Sequence, residues 1–310
     1  AFLAGVLNTL RVAIIGIVLA TILGTLLGIG RFSHNALVRG ICYGYVEVFR
    51  NVPVLLQLLM WYLTFTEVLP PISDPISFAG LFWLSKNGFA FPTPVWGLGQ
   101  ALAGIGAVVG IVAAVLYRRW AMRQFELTGR ARSMVWAPIA MIFGAALAGW
   151  ILGGAPTAWS VPEPGLFTMD GGAAATPEFL AVLLGLVFYT SAFIAEVVRA
   201  GIASVSHGQV EAAASIGLKK NQAMRLVVLP QALRVIIPPV TSQYLNLTTT
   251  SSLAVAVGYP DVVSIANTSL NQTGRAVECI AIIMLVYLTT SLSTSAFMNW
   301  YNARAAIKER

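Results

Sequence analysis

Charge is scarce in this sequence. The 310 residues include 19 Lys or Arg and 12 Asp or Glu, so 10% are charged, against about 25% in ordinary soluble domains. That shortage, with 57% hydrophobic residues and a mean hydropathy of +0.79, excludes a disordered chain and argues against a soluble globular enzyme. Cysteine is nearly absent: Cys42 and Cys279 alone exclude a disulfide scaffold and a Cys-based zinc site. Histidine is limited to His34 and His207, too few for a His-rich metal centre, and no metal site is expected. No G-x4-GK-[ST] phosphate loop is present, so the chain carries no ATPase chemistry of that type. No charged segment followed by a short apolar run marks a signal peptide, and the first residue is Ala, so a preceding N-terminal segment is expected.

What is present is apolar sequence in long runs. About 20 apolar residues cross the hydrocarbon core as a helix. Residues 12–30, 87–117, 133–162, 179–195, 235–260 and 279–303 are charge-free apart from Lys86 at one margin, and 51–66 is a shorter run that apolar residues from Ile41 onward extend. Pro92, Pro94, Pro156, Pro162 and Pro164 trim these runs. The reading is an all-α membrane protein with seven spans, near 5–30, 45–66, 97–117, 134–153, 178–200, 232–257 and 276–299.

Basic residues set the orientation. Sixteen of the 19 fall in alternate connecting segments: 31–52, 118–132, 199–234 and the tail. The opposite segments hold Lys86 and Arg275 among acids such as Glu67, Asp74, Glu163 and Asp170. Residue 1 is therefore expected outside and the C-terminus in the cytoplasm. The same bias accounts for the net charge of +7 without a nucleic-acid partner. The expected organisation is 1–66, a first part of the transmembrane core; 67–177, an insertion with outer loops and an extra helix pair; 178–300, the second part of the core; and 301–310, a cytoplasmic tail. Trp83, Phe82, Phe91, Trp159 and Phe167 in the outer loops suit the membrane interface. Gly24 and Gly28, Gly106 and Gly110, and Gly149 and Gly153 have the small-xxx-small spacing of close helix contacts. The inserted pair is expected at the periphery of the bundle, because Gln100 is its only polar residue of note.

A few polar residues stand out against this background. Arg11 is the one basic residue deep in an apolar run. It either faces a pathway, where a carboxylate would suit it, or snorkels to the outer interface. Asn246 and the run Thr248, Thr249, Thr250, Ser251 and Ser252 lie in the sixth span. Five successive hydroxyls cover every side of a helix, so some line a pathway or gate unless each bonds back to its own helix. Glu196 and Arg199 are three residues apart near the inner boundary, the spacing of a structural ion pair or anchor. Asp261, Asn271 and Gln272 belong to an outer connection and are weaker candidates.

Residues 201–234 are neither a span nor a simple loop. Good helix formers from Glu211 to Ile216 lead to a stop at Gly217, and Asn221 can cap a second short helix ending near Leu229, before Pro230. Ala212 and Ala213 give this element a small face for close approach, on which both are expected to sit.

The spacing within this segment is specific. Glu211-Ala212-Ala213, Gly217, Val227, Leu229 and Pro230 match EAA-x3-G-x9-[IV]-x-LP. This resembles the cytoplasmic EAA loop, here 201–230, of permease subunits of bacterial ABC importers. Phe193-Ile194-Ala195-Glu196-Val197-Val198-Arg199, Gly208-Gln209, Leu229-Pro230-Gln231-Ala232-Leu233-Arg234 with Pro238-Pro239, and Tyr45-Val46-Glu47-Val48-Phe49-Arg50-Asn51-Val52-Pro53 are similar to the polar amino acid permease family. The long insertion and the tail Met298-Asn299-Trp300-Tyr301-Asn302 resemble its general L-amino acid branch, Q-type subunit. Thr249 stands where that family often has Lys, so no role resting on that Lys carries over.

The resemblance implies a type I ABC importer transmembrane domain: a five-helix core plus an inserted pair. It implies a non-catalytic translocation subunit in the bacterial inner membrane. Gly208, Gln209, Glu211, Ala212, Ala213, Gly217, Leu229 and Pro230 would couple it to a separate ATPase. ATP and Mg would be bound by two such ATPase subunits and not by this chain. The other implied partners are a second, related permease, a periplasmic amino acid binding protein and membrane lipid. Two other readings compete. A secondary transporter driven by an ion gradient needs ionisable groups in mid-membrane, and Arg11 alone qualifies. An intramembrane enzyme needs a catalytic constellation, which neither histidine forms.

Overall fold

The computed structural model describes residues 1–129, 132–165 and 168–305, with side chains to residue 303. Arg130, Phe167, Lys308, Arg310 and the side chain of Arg304 lie outside the described residues. The helices are Phe2–Gly30 (α1), Ala36–Asn51 (α2), Val54–Leu63 (α3), Leu98–Thr128 (α4), Trp136–Leu152 (α5), Pro177–Ala203 (α6), His207–Ser215 (α7), Lys220–Ala223 (α8), Leu229–Thr250 (α9), Val262–Thr273 (α10) and Ala276–Ala305 (α11). Wider π turns at Thr64–Val68 and Met224–Val228 continue α3 and precede α9, and a 3-10 turn at Ser251–Val257 follows α9.

Among the described residues, five helical runs are long and apolar enough to cross a bilayer, a bent pair makes a sixth, and α5 is shorter, with 17 residues. Seven spans were expected. The principal departure is the second. In place of one helix over 45–66, α2 and the run 54–68 meet at a bend of 104°. Pro53 has no N–H to donate, and it forces Val52 out of the helical region to φ −94°, ψ 127°. Gln57 secures the corner: its Nε2 donates to the carbonyls of Phe49 at 3.0 Å and Val52 at 2.9 Å, which the break leaves without helical partners.

The outer stretches expected as loops contain eight short strands: Ile76–Phe78 (β1), Phe82–Ser85 (β2), Gly88–Phe91 (β3), Thr93–Pro94 (β4), Trp159–Ser160 (β5), Glu163–Pro164 (β6), Met169–Asp170 (β7) and Ala173–Ala175 (β8). β1, β2, β3 and β8 form one sheet in that order, and β4 with β5 and β6 with β7 form two antiparallel pairs. The connection after residue 257 is likewise not a loop. It holds α10, which Asp261 caps by accepting from the Ser264 N–H at 2.8 Å.

The chain divides into two compact units: 1–71, 85–88 and 175 onward in one, 72–84 and 89–174 in the other. In the first unit α6 is the central helix. Ala181, Val182, Leu186, Thr190, Ser191, Ile194, Ala195 and Val198 are buried around most of its circumference. Gly24 and Gly28 of α1 let that helix close on Ile194 and Val198; a Cβ at either glycine would approach those side chains to 2.7–2.8 Å. In the second unit α4 and α5 form an antiparallel hairpin in which a Cβ on Gly110 would come within 2.7 Å of the Ile142 backbone.

Candidate coupling and translocation site

The segment around Glu211 starts earlier than the sequence suggests. α7 begins at His207, after a short break at the end of α6, so the two helices are joined by Ser204, Val205 and Ser206. Its end is a Schellman motif. Leu218 N–H donates to the Ala213 carbonyl at 3.1 Å and Gly217 N–H to the Ala214 carbonyl at 2.9 Å, with Gly217 at φ +82°. Nothing lies within 4 Å of a Cβ built on Gly217, so its requirement for glycine is backbone conformation and not space.

Gly208, Gln209, Glu211, Ala212 and Gly217 are all exposed, and Glu211 bonds to His207 Nδ1 at 3.0 Å along the helix. Ala213 is different. It is 3% exposed and packs into its own chain. Ala212 and Ala213 therefore do not share one close-packed face, contrary to expectation, because successive helical residues point about 100° apart. Ala213 seats the helix; Ala212 is on its open side.

The second half of the segment also departs from the reading. Lys219, and not Asn221, precedes α8, with its N–H donating to Gln222 Oε1 at 3.0 Å. The chain does not stop at Pro230. The π turn 224–228 runs directly into α9, and Pro230 occupies its first turn, where a missing N–H leaves little unsatisfied. Leu229 is exposed and Pro230 half-buried.

Glu196 gathers two arginines. Arg31 Nη1 and Arg199 Nη2 each lie 2.5 Å from its carboxylate oxygens, and Arg199 Nε adds contacts at 3.1 and 3.2 Å. Arg31 is the last-turn neighbour of α1 and is 165 residues distant in sequence. Its guanidinium also lies over the Tyr43 ring at 5.1 Å, while Arg50 lies over Phe193 at 5.5 Å. This cluster fastens the end of α1 and the α2 face to α6, about two turns before α6 gives way to α7. The sequence reading found Glu196 and Arg199 and missed Arg31. The only available signal was that both ends lie at comparable depth beside basic segments.

The candidate pathway residues do not converge on one cavity. Thr249 Oγ1 donates to the Leu245 and Asn246 carbonyls, each at 3.0 Å, and Thr250 Oγ1 to Asn246 Oδ1 at 3.2 Å. Ser251 is buried and donates to the Thr248 carbonyl at 2.6 Å. Ser252 is half-buried in the 3-10 turn and Asn246 is exposed. Most of the run thus returns its hydrogen bonds to its own helix. Arg11 is on the exposed side of α1, between buried Thr9 and Val12, with no hydrogen bond or ion pair among the described residues. A groove of about 730 Å³ between α1, α9 and α11 is lined by Leu10, Ile14, Tyr244, Thr248, Thr290 and Met298, among others; of the run expected to line a pathway only Thr248 reaches it, and Arg11, Asn246, Thr249, Thr250, Ser251 and Ser252 do not.

Asp261 has more structural weight than its place in a connection suggested. It is 1% exposed; Oδ1 makes the α10 cap and Oδ2 has no hydrogen-bond partner. Burial pushes its carboxyl up to about 6, the cap and neighbouring backbone N–H groups offsetting part of the effect. Val262 N–H donates to Thr9 Oγ1 at 3.2 Å and Asn8 Nδ2 to the Pro260 carbonyl at 3.0 Å, so this corner is tied to the start of α1.

Comparisons with known proteins agree with this architecture. Residues 16–307 match the family described as binding-protein-dependent transport system inner membrane component. The chain is 48% identical to the general L-amino acid transport system permease protein AapQ of Rhizobium johnstonii, covering all of this chain and 78% of that protein. It is 47% identical to the putative amino-acid ABC transporter permease protein YhdX of Escherichia coli, covering all of this chain and 79% of the relative. A solved amino acid ABC transporter with histidines aligns with a TM-score of 0.57 over 98% of this chain and 93% of that one, at 19% identity.

Proposed function

The chain belongs to the family of binding-protein-dependent transport system inner membrane components, and on that premise we propose that it is the permease subunit of an ATP-driven ABC importer for amino acids in the bacterial inner membrane. The observation that carries the reading is α7: an exposed helix with the EAA spacing, held by buried Ala213, closed by Gly217 and joined to the central helix α6 through three residues. A helix so placed transmits a push on its open face to α6. The names of the relatives support amino acids as cargo.

In this reading the chain contributes no catalytic residue. ATP and Mg are bound by two ATPase subunits, against which Gly208, Gln209, Glu211, Ala212, Gly217, Leu229 and Pro230 lie, while Ala213 seats the helix on its own chain. ATPase closure moves α7 and with it α6. The Glu196 cluster then carries the movement to α1. A second, related permease completes the pathway, and a periplasmic binding protein delivers the amino acid from outside. The C-terminus is cytoplasmic.

The test is Gly217→Val, with uptake and ATPase retention normalised to membrane abundance. A β-branched residue resists φ near +82° although space around it is open. The expected result is normal insertion with uncoupled transport or a lost ATPase. Wild-type transport with a fully retained ATPase rejects the coupling role.

A further inference from the structure

The reading above leaves the far end of the α4–α5 hairpin without a task, and that end has unusual chemistry. α4 has 31 residues, about 46 Å at 1.5 Å per residue, whereas the hydrocarbon core is about 30 Å thick. Its first 20 residues, Leu98 to Tyr117, are free of charge and match that thickness. The remaining 11 begin with Arg118 and Arg119 and include Arg123. The helix thus changes from apolar to basic at the depth where headgroups begin.

The neighbouring residues mark the same level. Tyr117 and Trp120 are in contact at 5.9 Å, and Trp136 opens α5 with 76% of its surface exposed. Such aromatics occupy the headgroup boundary. Arg132, just before α5, places its guanidinium over the Trp120 ring of α4 at 4.7 Å. A fourth guanidinium is thereby brought to the basic turn of α4.

None of Arg118, Arg119, Arg123 or Arg132 makes an ion pair among the described residues, and Glu126 is the sole acid between residues 98 and 152. Arg119 and Arg123 are four residues apart and share a face. Elsewhere the chain pairs partly buried arginines with a carboxylate, as at Glu196. Here it leaves several forked donors together, exposed, at one depth. A guanidinium binds phosphate oxygens in bidentate fashion.

We propose that this collar, Arg118, Arg119, Arg123 and Arg132 around Trp120, binds the headgroups of anionic phospholipids in the leaflet it faces. The inference rests on the membrane orientation given above only for which leaflet that is. The lipid clamps the hairpin end at a fixed depth in the bilayer.

The experiment uses the full chain with its partner subunits, purified from native membranes and exchanged into nanodiscs of phosphatidylcholine with increasing phosphatidylglycerol. Lipid retained after delipidation is counted by native mass spectrometry for wild type, Arg119→Gln/Arg123→Gln and Arg119→Lys/Arg123→Lys. Wild type is expected to retain phosphatidylglycerol over phosphatidylcholine. At about 1 kcal/mol per basic residue near an anionic surface, retention falls about fivefold for each neutralised arginine, and the Lys pair keeps most of it. Circular dichroism is expected to be unchanged in both pairs, since no side-chain contact of the fold is removed. Equal retention of the two lipids by wild type, or equal phosphatidylglycerol retention by wild type and the Gln pair, overturns the proposal. Loss of the ATPase subunit with lipid retained overturns it in favour of a protein partner. Orientation is read separately from Glu126→Cys: labelling by an impermeant reagent added outside intact cells reverses the leaflet and leaves lipid retention unaffected.

Discussion

The two units hold their helices together by different means. In the α4–α5 hairpin, backbone meets backbone: Gly106 faces the Ala145 carbonyl, Gly149 the Leu102 carbonyl and Gly153 the Cα of Gly99. In the first unit the glycines of α1 and α6 meet side chains as well as backbone: Gly24 meets Ile194 and the Ser191 carbonyl, Gly28 meets Val198 and the Ala195 carbonyl, and Gly201 meets Ile236. The first unit also has every buried polar or charged residue among those described: Thr9, Gln57, Ser85, Thr190, Ser191, Thr248, Ser251 and Asp261. Its helices are interrupted by a proline corner, two π turns and a 3-10 turn. A backbone-to-backbone seam has one good register and resists shear. Side-chain contacts and interrupted helices admit more than one arrangement, which an element that moves during transport requires.

The strongest way to break this comparison is to put a side chain into the seam. Gly106→Leu is expected to open the hairpin, with a loss exceeding roughly 3 kcal/mol, the upper end for overpacking. Gly104→Leu, on the same helix with nothing within 4 Å of its Cβ, is expected to change stability by less than about 0.5 kcal/mol. Thermal unfolding of both variants is the measurement, and equal effects would refute a backbone seam.

Buried charge distinguishes the first unit next. Asp261 has a carboxyl raised in the folded chain to about 6. Its contribution to stability is therefore full below about pH 4 and is lost as pH rises through 6; by linkage the loss is about 3 kcal/mol. Asp261→Asn keeps the cap oxygen and cannot ionise. Denaturation between pH 4 and 7 should slope downward for the wild type and be flat for the variant; parallel curves would mean that the carboxyl is not held in a poor environment.

The Glu196 cluster gives a smaller effect. Glu196→Gln leaves Arg31 and Arg199 without a carboxylate and is expected to cost about 2 kcal/mol, the range for a hydrogen bond to a charged group. Arg119→Gln in the hairpin removes an equally formal charge with no partner and is expected to leave unfolding unchanged. Chemical denaturation of the two variants sharpens the contrast between structural and surface arginines.

Gly217→Ala gives the smallest effect, about 1 kcal/mol, because Ala at φ +82° is strained while nothing crowds it. Gly208→Ala, at ordinary backbone angles in α7, should be neutral or slightly stabilising. Hydrogen exchange across 207–218 distinguishes them; identical protection would mean that the turn does not depend on the left-handed conformation.

The sequence alone determined what depends on near neighbours. Apolar runs locate the long helices, since helical hydrogen bonds close within four residues. The end of α7 was legible because a glycine after a run of helix formers satisfies a C-terminus in one way. Glycine spacing marked the α1 and α4–α5 seams, since the period of the helix places i and i+4 on one face. The same reasoning failed wherever a distant group decided the outcome. Pro53 is not among the prolines that trim the apolar runs in the sequence reading, yet it breaks the expected single span into two elements, and the corner needs Gln57 to satisfy two freed carbonyls. Glu196 with Arg199 could be paired by spacing; Arg31 could not, because 165 residues separate them. Ala212 and Ala213 read as one small face until packing placed one against the chain and left the other open. Asp261 read as an acid of an outer connection and proved to be a buried cap, at a corner tied to α1 by a bond between residues 253 apart in sequence. Local sequence sets which backbone conformations are cheap; only the assembled fold sets which side chains lose water and which charges meet, and the first gives Asp261 its energetic weight as the second gives Glu196 its own.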